Sequence, residues 1–343
     1  AVEAARQALA DGFTRYTPGS GIPELRAAVA DLYRRDYGAP WTGAGSVITV
    51  GGKAALFETA LAVFDDGDEV VLPSPCWVSL PEQIRFAGAR PVEVSTSPDD
   101  GFRIHAGPLL AAVTERTRAI LLNAPCNPTG GVVSREDLGE IIRFAAARGI
   151  LVISDETYTR FVYGGLQPVS AAEYAAEFPD TVAVVGSFSK TYAMTGWRIG
   201  YLLGPPAVVR AVEIIQSHAT SNPTSFAMVG ALAALRSAEP EVEGMIAEYA
   251  ARREMLIPRL NELPGFACRP PDGSFYAFPR VAACYRPGRQ GSVAFSEYLL
   301  EEARVVVVPG VAFGADDYIR ISFACSRAAL AEGLERLAAV LAD

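Results

Sequence analysis

The strongest constraint on this chain is an alternation of short Val- and Ile-rich runs with longer segments of helical periodicity from about Ser46 onward. The runs are SVITV (46–50), EVVLP (69–73), PVEVS (91–95), RAILLN (118–123), GILVISD (149–155), TVAVVGS (181–187) and RIGYLLG (198–204). They are dense in β-branched residues and bounded by Gly, Pro or Asp, as strands are. Between them lie helix-like segments such as 53–64 and 135–149, the second opened by Ser134 as N-cap and stopped by Gly149. Strands joined through crossover helices predict a mostly parallel sheet with helices on its faces.

Residues 239–262 form a long amphipathic stretch that Pro258 is expected to kink or interrupt. Beyond it, strand-like 274–279, 304–309 and 318–324 alternate with helix-like 292–303 and 327–341. The predicted fold is therefore α/β: a large domain over 1–245 with a seven-stranded, mostly parallel sheet, and a smaller α/β domain over 246–343. At about 150 residues per domain, the length of 343 also suggests two. The chain starts at Ala1, not Met, and enters directly into a helix-like pattern, so a segment preceding it is expected to be missing here.

Half the residues are apolar, which excludes disorder, and 30 Lys+Arg against 39 Asp+Glu give a net charge of −9 that argues against nonspecific nucleic-acid binding. Five scattered cysteines (Cys76, Cys126, Cys268, Cys284, Cys325) without a C-x-x-C fit reduced thiols in a cytoplasmic protein. The two histidines, His105 and His218, are too few for a histidine-rich metal site. No apolar run has the length of a membrane helix, and the first residues lack a signal-peptide layout. No G-x-G-x-x-G supports a dinucleotide site.

Four of the expected strand ends deliver polar residues into short turns: GGK (51–53), NAPCNPTG (123–130), SDETY (154–158) and SFSK (187–190). In a parallel sheet such ends face one crevice. Gly52 and Lys53 close a strand and open a helix, a geometry that suits a phosphate but also an ordinary tight turn. Lys190 is either a solvated surface charge or a desolvated amine nucleophile. Asp155 ends an apolar strand, where it caps a turn or pairs with a cation such as a pyridinium nitrogen. Tyr158 and Asn127 have equally plain readings as core packing and turn initiation. Arg198 and Arg320 flank apolar strands, and each implies an anion, internal or bound.

The order NPTG, SDETY, SFSK with Arg198 eight residues after Lys190, and RISFA resembles the class I/II aminotransferases, which are fold-type-I pyridoxal 5′-phosphate (PLP) enzymes. The likeness runs from Arg15-Tyr16 to about Ser326, and PCWVSLPE and SKTYAMTGWRIGY look like the bacterial aspartate aminotransferase branch. Cys126 stands where relatives often carry a polar residue.

The resemblance implies that Lys190 holds PLP covalently and moves the substrate proton, and that Asp155 keeps the pyridine nitrogen protonated. Asn127 and Tyr158 are implied to bond the phenolic oxygen, and Trp77 to stack on the ring. Gly52, Lys53, Ser187, Ser189, Arg198 and a partner subunit's Tyr16 are implied to hold the phosphate, which makes the enzyme a homodimer. Arg320 is implied to take the substrate α-carboxylate, with Lys53, Trp77 and Asn127 completing the substrate side. The expected reaction is ping-pong transfer of an amino group from an L-amino acid, aspartate- or glutamate-like or broader, to a 2-oxo acid. Elimination, cyclisation or oxidation on the same cofactor, and an effector-sensing regulator domain, are the alternatives.

Overall fold

The computed structural model describes residues 1–342. Helices α1 (Val2–Ala10) and α2 (Pro23–Tyr37) precede strand β1 (Ser46–Thr49). There follow α3 (Gly52–Val63), β2 (Glu69–Ser74), α4 (Ser79–Phe86), β3 (Arg90–Ser95), α5 (Ala106–Ala111), β4 (Thr117–Asn123) and α6 (Arg135–Ala146). The first sheet is completed by β5 (Leu151–Asp155), β6 (Val182–Ser187) and β7 (Gly200–Leu203), with the single-turn helix α7 (Phe188–Thr191) between the last two. Each of the seven runs expected for this sheet is a strand, with bounds within two residues of those read from the sequence, whereas the strand-like 304–309 is a strand only over Val308–Pro309.

The strand order is β1-β7-β6-β5-β4-β2-β3. Strands β3, β2, β4, β5 and β6 pair in parallel, and β7 runs antiparallel to both its neighbours. The apolar runs are continuous because both faces are covered. Along β4, Ile120 and Leu122 join a core with Leu25, Ile141 and Met228, whereas Ala119 and Leu121 join the opposite core with Leu56, Ile84 and Val212. The same alternation splits Val152 from Ile153 and Val184 from Val185, as the two-residue strand period requires.

Ser134 caps α6 as expected, its Oγ accepting from Asp137 N at 3.0 Å. The chain continues through α8 (Pro206–Ala219), α9 (Ser225–Ser237) and α10 (Glu239–Asn261). Pro258 does not interrupt α10. It lies in the last turn, three residues before the helix ends, and Asn261 ties that end down through Nδ2 to Ile257 O (3.2 Å) and Cys268 O (2.9 Å).

After α10 come β8 (Tyr276–Ala277), α11 (Gly291–Ala303), β9 (Val308–Pro309), β10 (Ile319–Ser322) and α12 (Arg327–Leu341). These strands form a second, antiparallel sheet in the order β8-β10-β9. Its core receives Tyr158, Phe161 and Tyr163 from the segment after β5. We propose a division near residue 245, because Met245 and Ile246 pack on this second core whereas Ala238 packs on the first. Among the described residues no helix is long and apolar enough to cross a membrane, and no group of three His, Cys, Asp or Glu is arranged to hold a metal.

Glu58 on α3 is buried with Oε2 unpartnered, and desolvation pushes its carboxyl up from 4.5 to about 7. The folded state thus keeps a proton that the unfolded chain releases, so this site's contribution to stability falls as pH rises from 4.5 to about 7. Glu58→Gln is expected to be more stable than the parent by on the order of 1 kcal/mol near pH 8 and close to it near pH 4. Thermal midpoints at the two pH values check this; equal midpoints near pH 8 refute it.

Candidate active site

The carboxyl ends of β4, β5 and β6 open into a cavity of about 450 Å³ whose far wall comes from β8 and β10. Its floor follows from strand register. Asn123 and Asp155 are paired residues at the ends of β4 and β5, so Asn123 Nδ2 donates to Asp155 Oδ2 at 2.9 Å. Thr157 N donates to the other oxygen at 3.2 Å, and Asn123 Oδ1 accepts from Asn127 N at 2.9 Å. Asp155 is 3% exposed. Burial raises its pKa, the hydrogen bonds from Thr157 and Asn123 oppose that rise, and no cation is among its partners. A carboxylate held this way is costly alone and becomes favourable once a cation approaches.

One corner is shaped for an anion. Gly51 has φ +82°, and a Cβ there would lie 2.4 Å from Arg198 Nη2. Gly200, opening β7, passes so close that its Cβ would meet Gly52 N at 2.3 Å. Glycine at both positions lets the N-terminal turn of α3, with its free amides, sit against the ends of β6 and β7. Ser187, Ser189, Thr157, Thr195 and Arg198 line this part of the cavity wall. Arg198 is oriented by Nη1 donating to Thr195 O at 2.9 Å, and Ser187 Oγ accepts from Ser189 N at 3.0 Å.

The chain has two lysines, Lys53 and Lys190, and both line this cavity. Lys190 has its pKa lowered, first by burial and then by the positive charges of Arg320 and Arg198. Its Nζ lies 5.6 Å from the Phe275 ring and 6.0 Å from that of Tyr158. A depressed lysine carries more neutral amine at neutral pH, the form that attacks a carbonyl carbon. Lys53 Nζ stands 4.7 Å over the Trp77 ring at the mouth.

Arg320 reaches the cavity from β10. Its Nη1 donates to Asn127 Oδ1 at 2.8 Å, and its buried Nε has no partner. The guanidinium lies 4.4 Å from the Tyr276 ring centroid and 4.9 Å from that of Phe313. Tyr158 and Tyr276 share a hydrogen bond between their hydroxyls at 2.8 Å.

The structure thus gathers Gly52, Lys53, Trp77, Asn127, Asp155 and Tyr158 with Ser187, Ser189, Lys190, Arg198 and Arg320 around one space. Tyr16 is outside it and 88% exposed. Sequence reasoning passed over Leu56, Asn123, Thr157, Thr195 and Tyr276, which also line the wall. Asn123 and Thr157 lie inside the NAPCNPTG and SDETY turns already singled out, whereas Leu56 and Tyr276 carry no local signal.

The model of the family "Aminotransferase class I and II" matches residues 1–337. The chain is 43% identical over 343 residues to a probable aspartate/prephenate aminotransferase of Aquifex aeolicus, covering 99% of this chain and 87% of that protein. It is 40% identical over 337 residues to an aspartate aminotransferase of Geobacillus stearothermophilus, covering 98% and 86%. Among solved structures, an aromatic aminotransferase from Pyrococcus horikoshii superposes with a TM-score of 0.92 at 38% identity, covering 99% of this chain and 91% of the other. A family match along nearly all of the chain, and relatives covered almost end to end, make this protein a member of the class I and II aminotransferases.

Proposed function

We propose that the cavity binds PLP and that the enzyme transfers the amino group of aspartate-like L-amino acids to a 2-oxo acid. The observation that carries this reading is the buried Asp155, without a cation, in the same cavity as the depressed amine of Lys190. A pyridine ring with an aldehyde and a phosphate fits this donor set: a protonated nitrogen for Asp155, a carbonyl for Lys190, and an anion for the Gly52–Arg198 corner. When bound, the cofactor supplies the carbonyl that takes up the amino group and a ring that draws electron density from the substrate Cα.

Asp155, accepting from Asn123 Nδ2 and Thr157 N, would hold a proton at the ring nitrogen. Tyr158 and Asn127 would hold the phenolic oxygen, and Trp77 would cover the ring. Arg320, with Nε and part of its fork open, binds the α-carboxylate in a planar pair. Lys190 Nζ would hold the cofactor carbonyl and, in its neutral form, would carry the proton that leaves the substrate Cα. We further propose a homodimer in which the exposed Tyr16 contributes to the partner's phosphate corner.

The test is the absorption spectrum of the PLP-loaded protein before and after L-aspartate is added without an oxo acid. Conversion of the visible band to the near-ultraviolet band of the aminated cofactor is expected; an unchanged band contradicts an aspartate-type donor. Lys53 is assigned to the distal carboxylate. Lys53→Ala is expected to lower kcat/KM for aspartate by about 10- to 100-fold, the range for hydrogen bonds to charged groups, and to leave that for phenylalanine within about threefold. Steady-state kinetics with both donors checks it, and an equal loss for both assigns Lys53 to the phosphate turn instead.

A further inference from the structure

We propose that Tyr276 is a positioning residue that couples the carboxylate-binding Arg320 to the Tyr158 phenol; this rests on the reading of the cavity given above. The register of the small sheet creates the contact. Tyr276 on β8 is paired with Ser322 on β10. Arg320, two residues before Ser322, lies on the same face of β10 and so is the diagonal neighbour of Tyr276 across the ladder. The aromatic ring therefore lies under the guanidinium, 4.4 Å from it, while Asn127 Oδ1 holds Nη1 at 2.8 Å. A hydrogen bond at one corner fixes the position of the fork, and the Tyr276 ring, with that of Phe313 at 4.9 Å, packs against it and restricts its tilt. A planar anion is bound bidentately only when both are set.

The other end of Tyr276 acts on Tyr158. Either hydroxyl can donate in the 2.8 Å bond between them. If a cofactor's ring oxygen accepts a hydrogen bond from Tyr158, Tyr276 would be the donor of the pair. A donated hydrogen bond makes Tyr158 a stronger donor in turn. The side chain is 6% exposed, so water does not substitute for it. One residue thus serves two ends of the site, its ring acting on substrate binding and its hydroxyl on the cofactor's electronics.

Two kinds of variant separate these contributions. In PLP-loaded Tyr276→Phe the ring remains. Succinate, an unreactive dicarboxylate, is expected to bind within about twofold of the parent by calorimetry. The pH midpoint of the bound cofactor's visible absorption is expected to rise by on the order of half a unit, because Tyr158 donates more weakly to the ring oxygen. In Tyr276→Leu and Tyr276→Met, two apolar replacements without a π face, succinate binding is expected to weaken by about tenfold. The pH midpoint should shift in them as it does in the Phe variant.

Unchanged succinate affinity in a folded Leu or Met variant overturns the ring's role, and an unmoved midpoint in the Phe variant overturns the hydroxyl's. Loss of both readouts in all three, together with lowered melting midpoints, identifies Tyr276 as structural only and refutes the coupling. A parent protein that neither takes up PLP nor binds succinate refutes the reading of the cavity, and the proposal falls with it.

Discussion

Lys190→Ala is expected to lower transamination between L-aspartate and 2-oxoglutarate by about 10⁴-fold or more, because one substitution removes both the covalent attachment and the proton carrier. Ring and phosphate contacts do not pass through this side chain, so the variant should still take up PLP. The composition of the chain sharpens the test. With only Lys53 and Lys190 present, borohydride reduction of the loaded parent protein has two lysines to label. Mass mapping should find the adduct at Lys190, whose burial among Arg320 and Arg198 depresses its pKa. Label on Lys53, or near-parental turnover in the alanine variant, would overturn the assignment.

Asp155→Asn should lower activity and change how stability depends on pH. Asparagine keeps the shape of the side chain but sets its NH2 against one of two donors, Asn123 Nδ2 or Thr157 N, and cannot hold a proton on a ring nitrogen, so turnover is expected to fall by about 10³-fold, as when an aligned electrostatic partner is lost from a reacting centre. Without cofactor, the parental carboxylate is buried and unpaired by any cation, and desolvation raises its pKa. A raised folded-state pKa means that the parent loses stability as pH rises above the ordinary carboxylate range. The melting midpoint of the cofactor-free asparagine variant should therefore rise relative to that of the parent between pH 4 and pH 8, and a difference independent of pH would contradict this. Turnover within tenfold of the parent would show that the charge is not needed and would sink the role given to Asp155.

The large sheet was legible because its signal is local. Runs such as AILL (119–122) and LVI (151–153) are apolar at every position only when both faces are covered, and the structure sends alternate residues of each run to opposite cores. The ends of those runs were legible for a related reason: polar residues directly after a buried strand must face a crevice or remain unsatisfied. Gly52, Asp155 and Lys190 could therefore be singled out before any geometry was known. Pro258 does not end α10 as one of the two sequence expectations had it, because the sequence marks the proline but not the bonds of Asn261 to Ile257 O and Cys268 O that hold the helix end.

Taken alone, the sequence determined the order of strands and helices and the motifs at the strand ends, since both depend on periodicity and on neighbours a few positions apart. Strand order, register and the relation of the two sheets were decided only by the tertiary structure. Asn123 meets Asp155 because β4 and β5 pair in one register. Tyr276 lies under Arg320 and against Tyr158 because β8 and β10 pair in another and the second core receives the segment after β5. Such contacts join residues far apart in the chain, and the free energy that selects them is the burial of whole faces. No local pattern encodes that choice.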